Sequence, residues 1–224
     1  MPRLLCLAIV VALPFLPSTT RCEPADNAWI DKPDLQVGDQ WTFRRIDLWT
    51  KQEPFRFKLE VTRVEEDDLR LTRTRWKSDD IDEDGRQTKL RADRATWTFK
   101  DRTIVEGQIV NLLFPLEIGK KWDYKYAHLI DGAIKVYQDC EARVERWEDV
   151  VLPAGTFKAI KVSHACTWRN TARWGGRSTS TLWYVPGLRQ VVQREWNWAT
   201  LVPFGNGGTP YDQYRDELIE YTLK

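Results

Sequence analysis

Hydrophobic and polar positions alternate with a period of two along most of this chain. Phe55, Phe57, Leu59 and Val61 interleave with Arg56, Lys58, Glu60 and Thr62, which describes a strand with one dry and one wet face. The longest pattern of this kind covers residues 134–168, and its centre is Leu152-Pro153-Ala154-Gly155-Thr156. Proline presets the first corner of a type I turn, and glycine supplies the left-handed residue that returns the chain. The centre therefore reads as a three-residue hairpin loop with a glycine bulge. Shorter strands are predicted after Val37-Gly38, over residues 69–76, 89–100 and 102–110, after Ile118-Gly119, and over 178–185 and 189–198. Residues 65–68, 78–85, Gly175-Gly176, Pro186-Gly187 and 205–210 read as turns or loops. Residues 216–224 close the chain as a strand with Ile219, Tyr221 and Leu223 on one face, and 212–220 offer a short helix as the alternative. The class expected is mainly β: a single curved antiparallel sheet, either a half-barrel or a β-clam.

Pairing Leu152 with Thr156 fixes the register of the central hairpin. Val151 then faces Phe157, and Val144 faces His164. Cys140, Ala142 and Val144 share a face with Ile160, Val162 and Cys166, whereas nearer the turn the apolar positions are Trp147, Val151 and Phe157. Both strands thus change apolar face at one level, which calls for bulges or a sharp coil there. In this register Cys140 lies diagonal to Cys166, at about 7 Å, near the outer limit for a disulfide. A small register shift brings them together.

The first residues change the picture of where the chain works. Met-Pro-Arg, an apolar run over 4–16 and a polar end at Cys22 describe a secretory signal peptide. The expected organisation is 1–22 signal peptide, 23–36 extended leader and 37–224 a single β domain. Losing 1–22 removes Arg3 and Arg21 and no acidic residue, taking the formal charge from +1 to −1. A near-neutral protein has no electrostatic reason to bind nucleic acid, and none is expected as a partner. Only Cys140 and Cys166 then remain. An even pair in an exported chain favours a disulfide over two buried thiols. Twelve Trp, seven Tyr and eight Phe suit pleated, half-buried surfaces and reinforce the β reading.

Residues 37–43, VGDQWTF, match 118–124, IGKKWDY, at an offset of 81, and the same offset aligns Leu59-Glu60-Val61 with Cys140-Glu141-Ala142. Each half would be a glycine turn, an aromatic strand and a long outgoing strand, a duplicated β-meander.

Several motifs carry a family resemblance. They are Gly-x-x-Trp-x-Tyr at Gly119–Tyr124, Pro-Ala-Gly-Thr-Phe at Pro153–Phe157, Trp-Tyr-x-Pro-Gly at Trp183–Gly187 and Glu-Leu-x-x-Tyr at Glu217–Tyr221. Together they resemble a bacterial exported all-β domain of unknown function. The resemblance implies a signal peptide, an all-β fold and no set of catalytic residues. The family often has glycine soon after the Trp-Tyr-x-Pro motif, where this chain has Leu188-Arg189. The architecture is also similar to the half-barrels of periplasmic lipoprotein carriers, a likeness of fold only.

Chemistry is sparse. Asp80, Asp82 and Asp84 before Gly85 spell the start of a calcium loop, but the twelfth position is Arg91, not a bidentate glutamate. His164 and Cys166 share a strand face and His128 is the other histidine, short of the four ligands of structural zinc. No nucleophile, base and orienter can be named together, so no enzyme and no cofactor are expected. The tryptophans split between a bland reading, strands buried on both faces between a core and a covering segment, and a sharper one. In the sharper reading Trp41, Trp122, Tyr124, Trp183 and Tyr184 wall an apolar pocket. The preferred expectation is a periplasmic protein of a Gram-negative envelope that binds or carries an apolar or amphiphilic ligand: a lipid, a lipidated protein or another amphiphile. An envelope scaffold with no small ligand is the alternative, and a hydrolase with an unrecognised carboxylate site the second. An integral membrane barrel does not fit Arg70, Arg73 and Arg75, which put cations on both faces of one strand.

Overall fold

A computed structural model describes residues 29–65, 68–77, 80–90, 94–95, 102–130, 133–201 and 210–224, with side chains over 29–64, 104–129, 133–199 and 213–224. The expected signal peptide, the first part of the leader and the 205–209 loop lie outside the described residues. The strands are β1 (Gln40–Asp47), β2 (Phe55–Glu65), β3 (Asp68–Lys77), β4 (Asp80–Leu90), β5 (Arg94–Ala95), β6 (Arg102–Gly107), β7 (Leu112–Leu113), β8 (Lys121–Ile130), β9 (Ile134–Leu152), β10 (Gly155–Asn170), β11 (Gly175–Val185), β12 (Gln190–Leu201) and β13 (Pro210–Thr222). Eleven form one antiparallel sheet in the order β4-β3-β2-β1-β13-β12-β11-β10-β9-β8-β6, and β5 pairs with β7 apart from it. The closing strand β13 enters between β1 and β12, so two meanders run outward from the middle of the sheet. The ends of the sheet, β4 and β6, are not paired with each other. No helix among the described residues is long and apolar enough to cross a membrane.

The sheet is strongly curled. In sheet order β10, β11 and β12 separate β9 from β13, about 19 Å if the sheet were flat. Yet Cα atoms of β9 and β13 approach within 8 Å. The bend follows from bulges, each an extra residue that coils its strand. Glu145 is unmatched in β9, Val192 in β12 and Ile219 in β13.

Curling gives the molecule two cores. One gathers Trp41, Phe43, Phe57, Leu59 and Val61 of β1 and β2 against Val150, Leu152 and Ala159 of the hairpin tip, with Trp183, Val185 and Leu218. The other gathers Trp122, Ala142, Val144, Ile160, Val162, Leu182 and Tyr184 under Ile30, Val110, Leu112 and Leu116. Neighbouring residues of a strand point to opposite faces. Leu182 and Tyr184 in one core, with Trp183 and Val185 in the other, therefore make β11 a strand dry on both faces. The covering segment is pinned by paired backbone hydrogen bonds of Ile30 and Leu116, 2.8 Å each.

Several expectations need correction. Leu152 pairs with Gly155 and Val151 with Thr156, so the hairpin loop has two residues, not three. Gly155, at φ 133°, begins the returning strand instead of bulging from the loop. Beyond the Glu145 bulge Val144 faces Val162, not His164, and Cys140 faces Cys166 directly. The single bulge of this hairpin lies in β9, at Glu145, where the sequence called for bulges or a sharp coil. The acidic run at 80–85 is part of strand β4: Asp80, Ile81 and Asp82 pair with β3, and the register shifts across 83–85 before pairing resumes at Arg86. On β13 the buried residues are Tyr214, Asp216, Glu217 and Leu218, all before the bulge at Ile219, which resets which side chains face inward. The same strand replaces the helix alternative.

The Gly175-Gly176 pair is not a loop but the start of β11. The indole of Trp168 lies over Gly176, which it faces across the sheet. A Cβ at Gly176 would sit 2.1 Å from the Ala199 carbonyl oxygen and 2.7 Å from that indole. Gly176→Ala is expected to lower stability by about 1–3 kcal/mol, the usual cost of overpacking, measured as a fall in the urea midpoint at unchanged m-value.

The two halves of the proposed repeat share a turn. Gly38 N–H donates to Val61 O and Val61 N–H to Asp39 O, at 2.8 and 2.9 Å. Gly119 N–H donates to Val144 O and Val144 N–H to Lys120 O, both at 2.9 Å. Both glycines have positive φ, 94° and 87°. Trp41 and Trp122 follow, each indole donating to a distant carbonyl, Leu188 O and Val110 O, at 3.0 Å. The partner strand of the second copy is matched two residues later than the sequence offset implied.

Candidate functional site

The five aromatic residues read as pocket walls are not brought together. Trp41 and Trp183 belong to the first core. Trp122 and Tyr184 belong to the second, with Tyr124 packed against it. The Trp183 indole is tied to Glu148, as Trp41 and Trp122 are tied to carbonyls. The side chains of Asp80, Asp82 and Asp84 lie outside those described. Among the described residues no cluster of histidine, cysteine and carboxylate could hold a metal. Cys140 and Cys166 form a disulfide, Cα atoms 4.1 Å apart, in a third small cluster with Tyr126.

Above that disulfide lies a polar layer that sequence reasoning missed. Among the described residues eleven polar side chains are buried, and seven of them gather here: Asn111, His128, Gln138, His164, Ser178, Ser180 and Arg194. The strand register assembles them. Ser178 faces Cys166 and Ser180 faces His164 across β10–β11. Ser180 also faces Trp196, and Leu182 faces Arg194, across β11–β12. Gln138 faces Tyr126 and Trp168. Asn111 comes from the covering segment.

Aromatic rings frame the layer. Side chains two apart on a strand share a face, which stacks Tyr124 on Tyr126 at 6.2 Å and Tyr126 on His128 at 5.7 Å. Trp196 and Trp198 stack at 6.1 Å, and Trp198 meets Trp168 at 4.7 Å. The Arg194 guanidinium sits 5.1 Å over Trp196, and Arg45 sits 3.5 Å over Tyr214. Arg45 also grips both oxygens of Asp216 at 2.7 Å.

His164 decides what chemistry this layer can do. Burial pushes its imidazole down from 6.5 to about 3, the Arg194 charge adds to the shift, and the Asn111 backbone opposes it. Burial and Tyr126 raise Tyr124, with Arg194 opposing. The Tyr124 hydroxyl therefore keeps its proton and shares a 3.1 Å hydrogen bond with His164 Nδ1. Nε2 faces the Asn111 backbone without reaching hydrogen-bond geometry. Neither group exchanges a proton near neutral pH.

The depressed His164 pKa also sets a pH dependence. Between about 3 and 6.5 the unfolded chain binds this proton and the folded chain does not. Stability is therefore fully present above 6.5 and falls as pH drops through that window, by up to about 1.4 kcal/mol per pH unit. The stability difference between wild type and His164→Gln, from urea melts at pH 7.5, 6, 5 and 4, is expected to shift in favour of the variant as pH falls. A constant difference would contradict a buried neutral imidazole.

A second feature is an open groove of about 580 Å³ on β6, β8, β9 and β10. Tyr137 supplies a ring, Lys125 and Arg169 cations, Glu106 and Asp139 carboxylates. Tyr137 lies between two cations, Lys135 at 5.0 Å and Arg169 at 5.4 Å. Lys125 pairs with Asp139 at 2.6 Å and Lys135 with Glu106. Gly107 shapes one wall. At φ 68° it lets the bulged strand β6 lie against Lys125, where a Cβ would meet the carbonyl oxygen at 2.1 Å.

No family model matches the chain, and no curated protein does. Solved structures share its fold. One, from Parabacteroides distasonis ATCC 8503, is described as a lipoprotein; it is 12% identical, with 86% of this chain and 99% of that one covered at a TM-score of 0.55. Another, from Bacteroides fragilis NCTC 9343, is described as an exported protein with a YmcC-like fold; it is 12% identical, with 87% and 100% covered at a TM-score of 0.55. The lipoprotein YmcC of Escherichia coli K12, itself described as hypothetical, is a looser likeness at a TM-score of 0.43 and 10% identity, with 81% and 84% covered. The chain thus shares its overall fold with the first two of these bacterial proteins.

Proposed function

We propose that this is an exported, non-enzymatic binding protein of a bacterial envelope whose ligand is an amphiphile held in the groove beside β6. Export is supported by the signal-like first 22 residues, by a disulfide, which persists in oxidising compartments, and by a fold shared with proteins described as exported or as lipoproteins. The observation that carries the binding reading is the groove itself. Its volume falls in the range of small-molecule sites. Tyr137 offers apolar contact, and Lys125 and Arg169 offer charge to a head group. The aromatics of the two cores are committed to packing, which favours the groove over an interior chamber. The neutral His164 and protonated Tyr124 favour binding over acid–base catalysis.

Tyr137→Ala and Arg169→Ala are expected to lower the amount of co-purifying amphiphile about tenfold, corresponding to about 1.4 kcal/mol of lost contact, with little change in melting temperature. The amount is read by mass spectrometry of organic extracts. Full retention in both variants, or loss in proportion to stability, would contradict a ligand in the groove.

A further inference from the structure

We infer that the cavity between Asn111 and Arg194 is a binding site for one small inorganic anion, of halide or nitrate size, separate from the groove. The cavity has a volume of about 20 Å³, room for one small guest. Its lining includes Arg194, Asn111 and Ser180, and among the described residues no carboxylate. The acid nearest in register, Asp216 opposite Arg194, has both oxygens held by Arg45 at 2.7 Å. Arg194 puts a positive charge on the border of the cavity. Arg194 acts on its surroundings in that sense, lowering the proton affinity of both His164 and Tyr124.

An independent observation points to a guest. Asn111 is 3% exposed and lines the cavity, and its Nδ2 has no hydrogen-bond partner among the described residues. A buried donor left unmade costs free energy, and native interiors hold few of them. An anion accepts from Asn111, Ser180 and Arg194 at once and has no protons of its own to place. Burying an anion is costly unless a cation accompanies it, and Arg194 meets that condition.

The experiment pairs crystals of the full chain grown in sodium bromide with melting curves in chloride, bromide, nitrate or gluconate at equal ionic strength. An anomalous bromide peak is expected within hydrogen-bond reach of Arg194 and Asn111. A saturable rise in melting temperature is expected for the small anions but not for gluconate, which is too large to enter. Ser180→Ala is expected to weaken the half-saturating concentration about tenfold. Asn111→Asp, which places a carboxylate in the cavity, is expected to abolish the effect. If Asn111→Asp does not fold, the Ser180→Ala shift and the bromide peak still decide. Water density with no anomalous signal, or equal stabilisation by gluconate, would overturn the assignment.

Discussion

Replacing Asp39 by alanine is expected to lower the unfolding free energy by about 3–5 kcal/mol, the cost of breaking a buried charged contact from one side. Asp39 is fully buried. Its Oδ2 accepts from Gln36 N–H and from Arg189 Nη1, and its Oδ1 accepts from Lys224 N–H, each at 2.9 Å. One carboxylate thus ties the entry to β1, the turn between β11 and β12, and the last residue of the chain. Alanine would strand a guanidinium that is only one-quarter exposed and two backbone donors. Arg189 sits at φ 56°, a conformation that suits glycine. Arg189→Gly relieves backbone strain but leaves the buried Asp39 carboxylate held by two backbone donors alone, so its cost should fall between those of Lys120→Ala and Asp39→Ala. The equivalent position of the second turn is Lys120, whose Nζ donates to the Leu113 and Pro115 carbonyls at 2.7 Å. Lys120→Ala leaves no buried charge behind, so it should cost about 1–2 kcal/mol. Urea melts of the three variants check this ordering. An Asp39→Ala loss no larger than that of Lys120→Ala would sink it.

Reducing the Cys140–Cys166 bridge, or replacing both cysteines by alanine, is expected to cost about 3–4 kcal/mol. The bridge closes a loop of 26 residues, and loop-closure entropy for that length gives about 3.5 kcal/mol in the chain-entropy picture. The bond also links the two longest strands at the floor of the polar layer, where Cys166 lines the cavity. The cysteines are 2% and 7% exposed, so reductant should act only through opening of the hairpin. Urea midpoints with and without reductant measure the effect, and equal midpoints would contradict it.

Much of the fold was legible because alternation of apolar and polar residues is a local signal. The central hairpin, the apolar switch along it and the turn-then-aromatic-strand units all rest on such signals. Register was legible only to within a residue. The extra residue Glu145 has no signature of its own, and it decides whether Cys140 meets Cys166 or passes it. Ile219 similarly reverses which face of β13 is dry. Strand β4 was hidden because the run DIDEDG has turn-like composition, and pairing with β3 overrides that preference. The polar layer could not be seen at all. Asn111, Gln138, His164, Ser178, Ser180 and Arg194 come from four strands and a covering segment. Only the sheet order and the curl bring them together. Ser178 and Ser180 sit at alternate positions before the buried Leu182, a signal that these serines face inward.

Native mass spectrometry of the purified protein, before and after organic extraction, tests the binding reading most directly. The account predicts a defined extra mass that extraction removes, retained by Trp183→Phe and lost by Tyr137→Ala. A bare protein mass in every preparation would contradict it and favour a scaffold that acts without a small ligand.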